Sequence, residues 1–175
     1  LNKPKGYISA TEDERHKTVL DLLDETARQK EVFPVGRLDI YTHGLLLLTN
    51  NGKLAHAMLS PKKHVEKIYR AKVAGLMNQS DVERFARGIE LKDFTCHPAQ
   101  LKIVELDEEK EISLVEITRA EGKFHQVKRM FESVDKKVIY LKRLSMGKLK
   151  LDENLELGEY RELTDEEVKM IEERD

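Results

Sequence analysis

Apolar residues recur along this chain in two rhythms, and the switches between them mark out the elements. Thr18 opens a helical pattern with Val19, Leu20, Leu22, Leu23 and Ala27 on one side, and Asp21 stands at the third helical position, close to a capping box. Val32–Val35 reads as a short strand before the turn at Gly36. Leu45–Thr49 is a continuous apolar run closed by Asn50-Asn51-Gly52, so it reads as one buried strand followed by a turn. Lys53–Leu59 predicts a short helix stopped by Pro61.

Glu66–Val73 alternates, with Ile68, Arg70 and Lys72 on one side and Lys67, Tyr69, Ala71 and Val73 on the other, which is strand periodicity. Ser80-x-x-Glu83 predicts a helix that ends at Gly88. Leu101–Leu106 and Ile112–Thr118 predict a hairpin with a charged tip at Asp107–Glu111. Phe124, Val127, Met130, Phe131 and Val134 repeat at helical spacing. Val138–Leu141 and the stretch near Lys148–Leu151 read as further strands, and Thr164-x-x-Glu167 opens a last helix. Strands and helices are interspersed without regular alternation, which predicts an α+β fold with a mixed, mainly antiparallel sheet flanked by helices. With no internal repeat or low-complexity linker, residues 1–175 read as one domain or two intimately packed halves.

Composition narrows this. At 39% hydrophobic and 37% charged residues the chain is charge-rich but holds enough apolar material for a core, which excludes wholesale disorder. One Cys excludes an internal disulfide framework and a four-thiolate zinc site, and the six His form no convincing metal set. The longest purely apolar run, Leu45–Leu48, is too short to span a bilayer, and the start carries no signal-peptide pattern. The expectation is a soluble, cytoplasmic, monomeric protein without membrane or metal. Because the first residue is Leu, a missing upstream piece is also expected.

The net charge of −2 hides segregation. Residues 122–151 carry nine Lys/Arg against two acids, and residues 53–72 carry six against one. Residues 152–175 carry eleven acids and three basic residues. Such blocks either form solvated faces or present a positive face to nucleic acid, and charge alone does not choose.

Three places could carry chemistry. Asp39 follows Gly36-Arg37-Leu38 between two predicted strands, where catalytic groups are commonly displayed. It could equally be a turn-capping Asp paired with Arg37. Tyr69 lies in a basic strand with Lys67, Arg70 and Lys72, suited to stacking on a base or to half-burial. His125-Gln126-Val127-Lys128-Arg129 begins a helix after Gly122, a favourable place for phosphate or simply a solvated face. There is no P-loop, dinucleotide fingerprint or Gly-x-Ser-x-Gly motif.

Together these residues resemble a family. Gly36–Gly52 resembles the first motif of the RsuA/RluA class of RNA pseudouridine synthases, Lys67-Ile68-Tyr69 the second, and Glu121–Met130 the third. The resemblance extends from Leu1-Asn2-Lys3-Pro4-Lys5-Gly6 to Gly158-Glu159-Tyr160-Arg161, nearly the whole chain. Lys128 stands where the RluA branch has Arg, which favours the RsuA branch. That branch usually carries an S4-like RNA-binding domain ahead of the catalytic one, and no such domain is recognisable here. Tyr41, His43 and Asn51 depart from the family's frequent residues, none at an expected catalytic position.

The resemblance implies the pseudouridine synthase fold and cofactor-free isomerisation of uridine in small-subunit 16S ribosomal RNA, with U516 as the expected site. It makes Asp39 the essential carboxylate, Lys128 its cationic partner and Tyr69 the residue stacked on the uracil. It implies RNA binding by Arg37, Lys67, Arg70, His125, Gln126 and Arg129. The expected partner is ribosomal RNA within a small-subunit assembly intermediate. A large-subunit 23S target, a non-catalytic rRNA-binding protein and a glycoside hydrolase are the alternatives. The last normally needs two carboxylates, and no second acid stands near a motif.

Overall fold

The alternation in residues 66–73 becomes a strand whose two faces meet different surroundings. In the computed structural model, which describes residues 1–60, 65–120 and 126–172, the strands are β1 (Asn2–Lys3), β2 (Tyr7–Ile8), β3 (Lys17–Thr18), β4 (Phe33–Pro34), β5 (His43–Leu45), β6 (Leu48–Thr49), β7 (Lys67–Ala74), β8 (Gln100–Asp107), β9 (Ile112–Arg119), β10 (Lys137–Met146) and β11 (Leu149–Lys150). The helices are α1 (Glu25–Arg28), α2 (Gly52–Leu59), α3 (Gln79–Arg87), α4 (Gln126–Glu132) and α5 (Asp165–Glu172). This is the expected α+β class, with antiparallel pairing predominating. The chain divides into two units, residues 1–65 with 143–175, and residues 66–142. Among the described residues no helix is long and apolar enough to cross a membrane, and no group of three or more His, Cys, Asp or Glu side chains could hold a metal.

In the first unit β1 pairs with β5, setting Asn2 opposite Leu45 and Lys3 opposite Gly44. Gly44 has φ 111°, and a Cβ there would stand 2.2 Å from the Arg143 carbonyl oxygen, so only glycine fits. The apolar run expected to be one strand is instead split. β5 belongs with β1, β6 pairs with β4, and Leu46 is fully buried between them. The Leu46 N–H donates to the Leu1 carbonyl and the Val35 N–H to the Leu47 carbonyl. A continuous apolar run signals burial on both sides but cannot say which partner each residue takes. The core here joins Val35, Leu45, Leu47, Ala55, Met58, Met146, Leu149 and Ile171.

Asn51 caps α2 by accepting from the Leu54 N–H at 3.1 Å. The helix expected from Thr18 breaks into a 3-10 turn over Val19–Leu22 and the short α1. Asp24 causes the break, because its side chain starts a new helix by accepting from the Ala27 N–H. The acidic C-terminal stretch packs onto the N-terminal strand: Asn2 N–H donates to the Glu159 carbonyl, and Asn2 Nδ2 to the Leu155 carbonyl. The Thr164/Glu167 capping box forms in both directions. Arg161 joins Asp152 to Glu167 and holds the Glu167 carboxyl down at about 2.

In the second unit the strand order is β10, β7, β9, β8. The β8–β9 hairpin forms as expected, with a bulge between Ile103 and Glu105. Tyr69, Ala71, Val73, Val115, Ile117 and Leu101 turn inward, toward a core that includes Phe85 of α3 and Phe131 of α4, whose ring centroids are 5.1 Å apart. Helix α3 opens at Asn78 rather than Ser80, since Asn78 and Asp81 cap each other. It ends at Gly88, φ 99°, as the sequence predicts.

Candidate active site

Asp39 sits in an irregular loop of the first unit, and almost every contact that fixes this loop is to backbone. Gly36 turns the chain with φ 79°. The Ser9 hydroxyl donates to the Leu38 carbonyl and accepts from the Leu38 N–H, at 2.8 and 3.0 Å. The Gly6 N–H donates to the Ile40 carbonyl, and the Thr42 N–H to the Asp39 carbonyl. Asp39 Oδ1 accepts from the Tyr41 N–H at 2.7 Å, the local turn bond that Asp favours. That bond holds one carboxylate oxygen from within the loop.

Lys3 completes this bracing. Its side chain has no exposed surface, a rare condition for lysine. The Nζ donates to the carbonyls of Pro4, Asp39 and Thr42 at 3.0, 3.0 and 2.8 Å. An ammonium has three protons, and three carbonyls receive them. Burial lowers the Lys3 pKa to about 8, against the raising effect of the nearby Asp39 charge. Pattern reading gives this residue no role, because a lysine normally marks a surface. Its only signal is its place beside Pro4 in the Leu1–Gly6 stretch.

The other candidates divide among positions. Arg37 is exposed on the Asp39 loop. Tyr69, 8% exposed, stands on the inner face of β7 opposite Ile117. Lys67 is half-buried on the same face, opposite the buried Arg119. Arg70 points to the other face and pairs with Glu116 at 2.9 Å. On α4, Gln126 is buried with its Nε2 3.9 Å from Met130 Sδ, and Lys128 is half-buried. Arg129 makes a two-pronged ion pair with Asp93, and its guanidinium lies 5.5 Å from the Phe94 ring centre. This pair anchors α4 to the loop before β8 and so fixes the helix that carries Lys128. His125 lies outside the described residues.

Asp39 belongs to the first unit and Tyr69 and Lys128 to the second; a carboxylate, a phenol and an ammonium are each groups able to serve proton transfer or nucleophilic chemistry.

A family model described as RNA pseudouridylate synthase matches residues 1–133. The chain is 47% identical over 174 residues to the "Uncharacterized RNA pseudouridine synthase YtzG" of Bacillus subtilis (strain 168), covering 99% of this chain and 72% of that one. It is 42% identical over 174 residues to the "Ribosomal small subunit pseudouridine synthase A" of Salmonella typhimurium, with 98% and 72% covered. It is 40% identical over 171 residues to the "Ribosomal large subunit pseudouridine synthase B" of Bacillus subtilis, with 98% and 69% covered. A crystal structure of a pseudouridylate synthase superposes with a TM-score of 0.88 at 38% identity, over 98% of this chain and 71% of that one. The archaeal box H/ACA sRNP Nop10–Cbf5 complex shares the fold, at a TM-score of 0.64 and 18% identity, over 90% of this chain and 50% of that one.

Proposed function

The chain belongs to the RNA pseudouridylate synthase family, and from that premise we propose that it isomerises a uridine of small-subunit 16S ribosomal RNA, at the U516 position. In the reaction the C1′–N1 glycosidic bond breaks, the uracil turns, and C5 bonds to C1′. N1 gains a proton, C5 loses one, and nothing is consumed. The chain acts as one catalytic domain, a monomer, on RNA held within an assembling small subunit.

Asp39 is the carboxylate that either attacks C1′ or takes the C2′ proton. Both roles need the ionised form, which a cation favours, and Lys128 is assigned to supply it. Tyr69 stacks on the uracil and assists removal of the C5 proton by position, since a phenol is a weak base at neutral pH. Arg37 meets the flipped nucleotide, whose extrusion costs a few kcal/mol. Lys67, Arg70, His125, Gln126 and Arg129 serve the RNA, through phosphate or through the elements that hold it.

The observation that carries this reading is the Asp39 loop, whose backbone is braced at Lys3, Gly6 and Ser9 around one carboxylate. The small-subunit assignment is supported by the His125–Met130 sequence and by the likeness to small-subunit synthase A. The likeness to large-subunit synthase B supplies the competing outcome. The test is to incubate the protein with 16S and 23S RNA tritiated at uridine C5, naked and in partial subunits. Release from 16S material alone, mapped to one uridine, supports the proposal. Release from 23S material alone moves the target to the large subunit.

A further inference from the structure

On the face of β7 that turns away from Tyr69, Arg70 alone has been given a role above. Register places its residues in rows across the sheet. Arg70 lies opposite Glu116, which lies opposite Lys102. Lys72 lies opposite Leu114, and Ile68 opposite Thr118 and Gln100. On β10 the Lys72 ammonium sits 5.8 Å from the ring centre of Tyr140, placing Tyr140 on this face, and alternation puts Lys142 beside it.

Arg70, Lys72 and Lys102 are exposed, and Tyr140 and Lys142 are half-buried. The helices α3 and α4 contribute their buried phenylalanines to the opposite side, so among the described residues neither helix of this unit covers this side of the sheet. Arg70, Lys72, Lys102 and Lys142 therefore share one sheet face with Glu116, already paired to Arg70, and with Glu105 and Asp107, which lie opposite Leu114 and Ile112 at the edge strand. Burial pushes the Tyr140 phenol up, so it stays uncharged and adds no negative charge. The acids Glu105, Asp107, Glu108, Glu109 and Glu111 gather toward the hairpin tip. The cations of this face thus lie on β10, on β7 and at Lys102 of β8, and its acids other than Glu116 lie on the tip-side half of β8 and in the turn.

We propose that the open face of β10–β7–β9–β8 is a second RNA-binding surface, on which Lys72, Lys102 and Lys142 hold the phosphate backbone of ribosomal RNA flanking the target. Charge complementarity selects the occupant. Flexible lysines at strand spacing suit a polyanion read by charge rather than by base. The acidic tip repels the same backbone, so the RNA crosses the strands away from the β8–β9 turn. The proposal rests on the reading of ribosomal RNA as substrate, and the experiment separates the two.

The experiment measures Kd for a long rRNA fragment containing the target from 50 to 200 mM salt. It compares wild type, K72Q/K102Q/K142Q, the charge-retaining K72R/K102R/K142R, and a charge-matched control, K92Q/K110Q/K169Q. Removing three phosphate contacts lowers the slope of log K against log salt by about 2 to 3 and weakens binding about tenfold or more at the lower salt. The expected result is that loss in the face variant alone, with the arginine variant matching wild type. An unchanged slope, or an equal fall in the charge-matched control, overturns the second surface while leaving the substrate assignment standing. Wild type that binds the fragment without salt dependence overturns both.

Discussion

Asp39 and Tyr69 are positioned by opposite kinds of structure. Asp39 lies on a loop with no regular ladder, and its backbone direction depends on specific donors from Lys3, Gly6 and Ser9. Tyr69 lies in the eight-residue β7, paired along its whole length with β9, so alternation alone sends its side chain inward. The first arrangement is sensitive to single polar groups. The second is redundant, since no one ladder bond decides which way Tyr69 faces, and only damage to the core beneath it should matter. A loop gives the freedom to set a carboxylate at an unusual angle, while a strand gives a flat, stiff mount for an aromatic ring.

The largest expected effect breaks the second unit. Phe131 and Phe85 are fully buried against each other, so Phe131→Ala should cost about 3–5 kcal/mol of unfolding free energy through lost contacts and a cavity. Urea titration measures it, and a loss under about 1 kcal/mol would show that this core does not hold the sheet.

Lys3→Met sharpens the contrast from the other side. It removes the donor to three carbonyls at a cost of about 1–3 kcal/mol, and it should lower kcat by about tenfold or more with little change in KM, because the damage falls on orientation of Asp39. A KM effect alone would place Lys3 in RNA binding instead. The pH dependence has a definite sign. The folded-state pKa of Lys3, about 8, is below the ordinary lysine value of 10.5. The unfolded chain therefore binds the extra proton between those values, and stability rises with pH across that window. Below about pH 8 the full cost of burying the ammonium is present. The difference between wild type and Lys3→Met should accordingly grow between pH 8 and 10.5.

The smallest effect concerns the tie between α5 and Arg161. Glu167, held at about 2 by the Arg161 hydrogen bond, contributes stability that is present above the ordinary glutamate value of 4.5 and lost as pH falls through 2. Glu167→Gln should flatten the acid limb of a thermal-melting profile, and an unchanged limb would remove the pair from the stability of this helix.

Which parts of this were legible in the sequence follows the same division. Strand alternation in residues 66–73, the hairpin with its charged tip, the Gly88 stop and the Thr164/Glu167 box were all readable, because each is a local pattern with a local cause. The α+β class followed from their order. Leu45–Thr49 was not readable as two strands, since pairing with β1 and with β4 is decided by distant segments. The early helix broke because Asp24 starts a new cap inside an apolar rhythm. Tyr69 and Arg70 were separable by periodicity alone, but the ion pair of Arg129 with Asp93 joins residues 36 apart and left no trace in either neighbourhood. Lys3 was invisible as a brace, because nothing local distinguishes a buried lysine from an exposed one. The motif resemblance named Asp39, but the structure supplied the means by which its loop is held.

The most direct test compares wild type with Asp39→Asn for tritium release from C5-labelled uridine in ribosomal RNA, with RNA binding measured in parallel. The account predicts release by wild type and none above background by the variant, with the two binding the RNA within about threefold of each other, since the substitution removes a charge and leaves the loop's backbone bonds in place. Release by Asp39→Asn at the wild-type rate, with RNA bound equally well, would contradict it.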